Sequence, residues 1–574
     1  MNTKFAKSAY RYFLIWGIFA SLATAVCTIV DALLVGNLVG SNGLAVTNLS
    51  TPVFLVYALF GITIGVGANV HIGRKLGESN VEGANRIFQK QLGLGVIVGV
   101  ISMLPLLMKE TYFVFLGVNK ELYPLADKYL TVVMWSAPIF IMYHILLVSV
   151  RTDSDPKRAA FSSAVVIGTN LILDLFFIKI LDWGIFGASA SLCIAETLGT
   201  LVLLTHFFQK RKLLNLGLKV PELYFIWQFI YNGFGMGSAH IFAAVVMLMF
   251  NTMLLKFAEG TLYVAVYGII YTVSTIPAAV FDGAGGALST VTAFFVGESD
   301  TESILDVLKS AIIVAVIGGG IFALGCILFS DVIVRFFGIT DVAAIEKGSI
   351  ALTIFSASII FTGVNMVVTA FWQSIGRGKL AGAMSALRNC ILMIAVGGIF
   401  IPRLNISGLA LAYICTEVIC TLVILGVLAL QSSKQYVNEK YAFVGKSFEQ
   451  NYIIETQSMQ QISGDLERIC DQWEIGIKQA FMINFICEEL LLNIIKFGLD
   501  GNERNKKENY YISIKLMEKG DEYILRIRDN VSIYNPFETQ GDEIDNGVLK
   551  LIQMKSKYCD YQRKMIFNYL YLVI

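Results

Sequence analysis

The chain has 574 residues, 56% of them hydrophobic and 15% charged, with a mean hydropathy of +0.67. Soluble globular chains run nearer about 45–50% apolar, so this composition sets aside an ordinary soluble fold and points to a polytopic membrane protein. A net charge of +1 gives no general case for nucleic-acid binding, and nine scattered cysteines, none in C-x-x-C spacing, give no zinc or disulfide framework.

Lys4, Lys7 and Arg11 precede the first apolar run, which lacks a small-residue cleavage pattern, so no cleaved leader is expected. Runs long enough to cross a bilayer, about 20 residues, lie near 12–36, 52–73, 92–108, 130–150, 160–180, 185–208, 226–255, 262–282, 310–334, 350–372, 380–401 and 407–430. This predicts about twelve transmembrane helices, with residues 283–297 extending the eighth. Lys and Arg gather in alternate loops: Arg74 to Lys90, Arg151 to Arg158, Lys210 to Lys219, and Arg377 to Arg388. By the positive-inside rule both termini face the cytoplasm of a cell inner (plasma) membrane. The acidic ESDTES at 298–303 departs from that pattern.

RTDSDPKRAAFSSAVVIGTNLILDLFF (151–177) resembles QSIGRGKLAGAMSALRNCILMIAVGG (373–398), and GASASLCIAE at 187 resembles GLALAYICTE at 408. The repeat predicts two pseudo-symmetric six-helix lobes, 1–220 and 221–430, with the cargo path between them. Asp31 and Asp174 are acids inside apolar runs. Each is disfavoured by about 2.5–3.5 kcal/mol at a helix centre on insertion scales, which makes each a candidate functional group. Asn170 precedes Asp174 by four residues and shares its helix face. Asp31, Asn170 and Asp174 could converge as an oxygen cage for H⁺ or Na⁺. The alternatives are a wetted helix end for Asp31 and snorkelling near Lys179 for Asp174.

Other polar groups read more plainly. Glu196 and Glu417 occupy matching repeat positions and suit hydrogen bonds within each lobe. Asp282 in FDGAGG either attracts a cation or is a wetted residue in a glycine-broken helix. His71, His144, His206 and His240 are dispersed and suit packing.

VDALLVGNLVGSNGLAVTNLSTPVF, GVGANVHIGRKLGESNVEGANR, RTDSDPKRA and NLILDLFFI together resemble the multidrug and toxic compound extrusion family, over roughly residues 8–430. The resemblance implies a V-shaped, two-lobed antiporter exporting small organic cations in exchange for Na⁺ or H⁺. It assigns the first-lobe coupling site to Asp31, Asn170 and Asp174. Some members use acids on spans seven and ten, but 226–255 and 350–372 contain no Asp or Glu.

After a polar linker (431–454) the composition turns charged. Residues 455–574 read as an α+β domain: two amphipathic helices in SMQQISGDLERICDQWEIGIKQAFMINFICEELLLNIIKFG, a β-hairpin turning at KGDE, a helix in NGVLKLIQMKSKY and a terminal strand YLYLVI. EELLLNIIKFG, RDNVSIYNPF, NGVLKLIQMKSKYCDYQR and FNYLYL resemble the histidine-kinase-like ATPase fold, nearest its anti-sigma-factor serine-kinase branch. That resemblance implies Glu489 as general base, Asn493 as Mg²⁺ ligand, Asp529 reading adenine, and Gly547 in the lid of a Mg-ATP site. Two departures stand out: Val531 replaces a glycine after the strand, and the lid is reduced to Asn546-Gly547-Val548.

The main reading is a cation-coupled antiporter with a regulatory ATP-binding-like tail and a possible regulatory protein partner. One alternative is a lipid-linked saccharide flippase, which calls for a strongly basic cavity. The other is a transporter-like sensor whose tail is an anti-sigma-type signalling module.

Overall fold

The computed structural model describes all residues except 1–3, 40, 117, 119, 121, 211, 258–260, 338–341, 456, 499–509, 533–534, 536 and 538–550. It divides into two compact units. One holds Tyr10–Glu298 and Ile304–Val437; the other holds Met1–Ala9, Ser299–Ser303 and Asn438–Ile574.

The first unit is helical. Its first half comprises α1 (Lys4–Leu38, which begins in the second unit), α2 (Ser41–Gly77), α3 (Val81–Ile101), α4 (Lys109–Phe115), α5 (Tyr123–Trp135), α6 (Ala137–Thr152), α7 (Pro156–Asp174) and α8 (Gly184–Leu204). The second half comprises α9 (Leu223–Phe257), α10 (Thr261–Gly297), α11 (Thr301–Leu328), α12 (Ser330–Phe336), α13 (Val342–Ser356), α14 (Ser358–Ser374), α15 (Gly378–Ala386) and α16 (Leu392–Leu430), followed by α17 (Ser433–Tyr441). Among the described residues, ten helices are long and apolar enough to cross a membrane, and the α5–α6 pair, bent by 48°, makes an eleventh if it is one span. With 37 residues each, α2 and α10 extend about 55 Å, past the ~30 Å hydrocarbon layer.

Proline and polar residues mark the breaks. Pro138 sits in the first turn of α6, where a missing N–H costs no helical bond. Asn405 (φ 52°, ψ −126°) interrupts the long run of α16 just after Pro402. Two π-helical segments, Leu175–Ile180 and Leu387–Ile391, follow α7 and α15 directly.

Helices α2 and α9 meet backbone to backbone. A Cβ on Gly67 would collide with the carbonyl of Phe229, and one on Gly233 with the carbonyl of Thr63. Only glycine permits so close an approach. His71 and Asn232 add a 3.1 Å hydrogen bond along the same seam.

The second unit is built on an antiparallel sheet ordered β1-β2-β3-β5-β4, from β1 (Ser447–Ile453), β2 (Tyr511–Lys519), β3 (Glu522–Asp529), β4 (Tyr558–Lys564) and β5 (Phe567–Val573). The expected hairpin is β2–β3, turned at Gly520 with φ +63°. Two further strands were not anticipated. β1 falls inside the stretch read as linker, and β4 begins where a helix was expected to end. Of that helix, 551–555 is helical and 546–550 lies outside the described residues.

Alternation sorts the sheet's faces. Ile512, Ile514, Leu516, Leu525, Ile527, Leu570 and Leu572 pack against α18 (Ser458–Gln472) and α19 (Ile477–Asn493) through Ile462, Leu466, Ile483, Cys487 and Leu490. The opposite face carries Lys515, Arg526 and Arg528, all buried around Glu449 at 3.1, 3.5 and 2.8 Å. Arg528 also reaches Asp300 at 3.4 Å and lies 4.9 Å from the ring centroid of Phe5, which packs edge-on to Phe567. Burial alone would raise the Glu449 carboxyl, but Arg528, Arg526 and Lys515 outweigh it and hold the pKa at about 2. The start of α1 and the α10–α11 connector therefore belong to the same folded unit as the tail sheet.

Candidate functional site

Helix α7 begins with Asp155, whose side chain accepts the Arg158 N–H at 3.1 Å, and with Pro156 at its first position. That start fixes the phase in which Asn170 and Asp174, one turn apart, both point into the bundle: they are 2% and 0% exposed. Ser191 of α8 joins them. Its hydroxyl bonds to Asp174 Oδ1, and Asn170 Nδ2 donates to Ser191 Oγ at 3.4 Å. From α1, Cys27 Sγ donates to Asn170 Oδ1 at 3.6 Å. Asp31 lies in α1 four residues after Cys27, and its side chain lies outside the described residues.

Two of the three expected coupling residues are thus in one buried cluster, with α1 against it. Ser191 and Cys27 were not anticipated. Their only signal was a hydroxyl and a thiol in otherwise apolar runs, which ordinary packing explains equally well. The π-helical turn starting at Leu175, directly after Asp174, was also unforeseen. Such turns insert one residue, redirect the following side chains, and recur at functional sites.

Below the cluster, Asp153 accepts the backbone N–H groups of Leu213 and Leu214, each at 3.1 Å. His206 bridges Asp153 at 2.8 Å and Asp155 at 3.1 Å. This places His206 in a polar staple rather than in simple packing. The bonds fasten the RTDSD turn to the irregular segment after α8, which anchors the start of α7.

In the second half, Glu417 of α16 accepts from Arg388 Nε at 2.8 and 3.0 Å and from Asn365 Nδ2 at 2.7 Å. Thr421 donates to Asn365 Oδ1 at 3.0 Å. The internal bonding expected for Glu417 is present. Its repeat counterpart differs: Glu196 Oε2 is buried and finds no hydrogen-bond partner among the described residues.

In the tail, Glu489 and Asn493 lie one turn apart on α19, with Asn493 Nδ2 donating to the Glu489 carbonyl at 2.9 Å. Asn493 Oδ1 is buried and has no partner among the described residues, which suits a cation ligand. Asp529 ends β3, where Asn568 Nδ2 (2.8 Å) and the Val531 N–H (3.1 Å) donate to its Oδ1. Burial pushes its pKa up to about 7 against those bonds. Gly547 lies outside the described residues. The space beside Asp529, walled by Leu490, Ile494, Ile527, Tyr561, Tyr569 and Leu570, is only about 10 Å³. That is about one water's worth of room among the described residues, and the expected lid around Gly547 lies outside them.

The MatE family model matches residues 9–176 and 236–399. The multidrug export protein MepA of Staphylococcus aureus (strain N315) is 24% identical over 408 residues, covering 70% of this chain and 89% of its own. The probable multidrug resistance protein NorM of Rhizobium meliloti is 24% identical over 323 residues, covering 54% and 67%. Among solved structures, the outward-facing conformation of a multidrug resistance MATE family transporter of the MOP superfamily superposes with a TM-score of 0.70 at 21% identity, covering 76% of this chain and 97% of that one. With both halves of the helical unit matched, and Asn170 and Asp174 inside the matched region, the chain belongs to the MatE family.

Proposed function

We propose that this protein is a multidrug antiporter of the plasma membrane, exporting small organic cations in exchange for H⁺ or Na⁺. The observation that carries the reading is the buried Asn170–Ser191–Asp174 cluster with α1 against it, inside a MatE fold. A buried carboxylate is costly unless bonded or neutralised, so binding a small cation there has a large energetic lever. The cluster takes up the ion with Asp31 as the third ligand. Occupancy pulls α1 toward α7, and this biases which side of the membrane the cargo path faces. The membrane potential adds about 2.3 kcal/mol per charge per 100 mV to the cycle.

Twelve spans with both termini cytoplasmic complete the proposal. The twelfth comes from dividing the 53-residue run Gly378–Leu430 at Asn405, since about 80 Å of helix exceeds one crossing. The tail acts as a regulatory module that works without nucleotide turnover, a reading supported by the small space, about 10 Å³, beside Asp529 among the described residues. Equilibrium dialysis of the full-length protein with millimolar Mg-ATP checks this: no saturable binding is expected, and saturable binding would restore the ATPase reading.

The antiport reading is tested with vesicles loaded with an organic cation dye under imposed proton or sodium gradients. Export driven by one of them, and lost in Asp174→Asn, is the expected result. Gradient-independent movement, or full activity in Asp174→Asn, refutes it.

A further inference from the structure

Glu196 and Glu417 stand at matching positions of the two repeats, in GASASLCIAE and GLALAYICTE, yet they are held differently. Glu417 accepts from Arg388 and from Asn365. In the register of the repeat, Val166 stands where the second half has Arg388, and Tyr143 stands where it has Asn365. The first half therefore keeps the acid and lacks its cation. Packing brings the substitutes to the acid's face of α8. Gly199 lies one turn beyond Glu196, and a Cβ there would meet Val166 Cγ2, Tyr143 Cε2 and Ser162 Oγ.

The hydroxyls around Glu196 are engaged elsewhere. Ser162 donates to the Gly199 carbonyl at 2.8 Å, Ser163 and Tyr143 bond to each other at 3.3 Å, and Thr200 donates to the Glu196 main-chain carbonyl at 2.8 Å. Glu196 is 9% exposed, and its Oε2 has no partner among the described residues. Tyr143 of α6 and Cys193 of α8 are titratable groups within its electrostatic reach. The charged groups of the helices packed on α8 stand elsewhere: Asp127 and Lys128 in the first half of α5, Arg151 at the end of α6, Lys157 and Arg158 at the start of α7, and Asp174 at its end. None of them pairs with Glu196 among the described residues. An anionic carboxylate buried without a partner is costly. A hard metal cation would neutralise it only with several oxygen ligands at once, and the neighbouring hydroxyls are committed. A proton needs no further ligand.

We propose that Glu196 is a second proton-carrying site of the first half, separate from the Asn170–Ser191–Asp174 cluster. The proton comes from water on one side of the membrane, forms an O–H bond on the Glu196 carboxylate, and returns to water on the other side as the cargo path reverses. The residual exposure of Glu196 gives water access to the carboxyl. Glu417, matched to Arg388, serves instead as a structural ion pair. The place of Glu196 in a transport cycle rests on the antiport reading, but proton binding there needs neither cargo nor gradient, so the two are separable.

The test is infrared difference spectroscopy of the full-length protein in detergent, stepped in pH across the neutral range. Wild type is expected to show a carboxylic-acid carbonyl component that fades as pH rises. Glu196→Gln is expected to remove that component, Glu196→Asp to retain it at a shifted frequency, and Asp174→Asn to leave it in place. Val166→Arg keeps the acid but gives it the partner that Arg388 gives Glu417, and is expected to suppress the component at every pH. Melting temperatures near wild type show that the variants are folded. In dye-loaded vesicles, the number of protons moved per dye exported is expected to fall by roughly half or more in Glu196→Gln. Identical spectra for wild type and Glu196→Gln, a Glu196 component that does not titrate, or an unchanged proton-to-dye ratio would each overturn the proposal. Dye movement independent of any gradient would refute the antiport reading alone, with the infrared result still deciding whether Glu196 exchanges a proton.

Discussion

Asp174 is fully buried and bonded to Ser191, so its charge state and its geometry can be separated by mutation. Asp174→Asn keeps the volume and a bond to Ser191 but removes the charge. Ion-driven export is expected to disappear while expression and melting temperature stay near wild type. Ser191→Ala removes the bridging hydroxyl, a loss of about 1–3 kcal/mol for a buried polar contact. The half-saturating ion concentration is expected to rise roughly tenfold or more, with maximal rate retained; an unchanged value would separate Ser191 from the ion. Asn170 and Asp174 were legible because an acid and an amide at i, i+4 in an apolar run have few structural explanations. Cys27 and Ser191 were not, since small weakly polar residues satisfy themselves on their own helix backbone, as Ser191 also does with the Ala188 carbonyl at 2.9 Å.

The tail offers a pH test at the same scale. Asp529 titrates in the folded state near 7, above its ordinary 3.8. The folded form holds that proton more tightly, so stability is full below about pH 4, falls as pH rises toward 7, and then levels. Glu449 has the opposite sign: with its pKa held at about 2, its contribution is present above its ordinary 4.5 and is lost as pH falls toward 2. Hydrogen exchange across β2 and β3 in the full-length protein is expected to show greatest protection between these limits. Asp529→Asn is expected to flatten the decline toward neutral pH; an unchanged slope would assign it to another group.

At the scale of elements, two contacts decide how the pieces hold. The α2–α9 seam depends on Gly67 and Gly233, where a methyl group meets a backbone carbonyl. Gly67→Ala and Gly233→Ala are each expected to cost about 1–3 kcal/mol through overpacking. Both should lower the melting temperature and slow export; wild-type melting would mean that the helices separate without penalty. In the second unit, Arg528 is shared between Glu449 and Asp300. Glu449→Gln leaves three buried cations undercompensated, and about 3–5 kcal/mol of tail stability is expected to be lost. Exchange protection of β1–β3 measures this. The β2–β3 hairpin was readable because apolar and polar residues alternate around a glycine turn. β1 and β4 were not: SFEQNYI and YCDYQRK carry polar side chains on both faces, and Glu449 of β1 finds its cationic partners only on assembly with Lys515, Arg526 and Arg528. The π-helical turns after α7 and α15 left no mark in the hydrophobic period.

At the scale of the whole molecule, the composition break near residue 431 and the Lys/Arg loop pattern foretold a membrane unit followed by a soluble-looking tail. The family resemblance supplied the fold, which the MatE match and the 0.70 superposition support. Hydropathy did not foresee that Phe5 and Asp300, distant in sequence, share a folded unit with residues 438–574. No local pattern encodes a contact across more than 200 positions. Truncation near residue 435 is expected to leave dye export intact but to change its response to cellular regulation; complete loss of export would make the tail part of the transport machinery. The most direct test is dye movement in sealed vesicles of wild-type and Asp174→Asn protein, under a proton gradient alone and then a sodium gradient alone. The account predicts that one gradient drives wild-type export and that neither drives the variant. Equal export by both proteins under either gradient would contradict it.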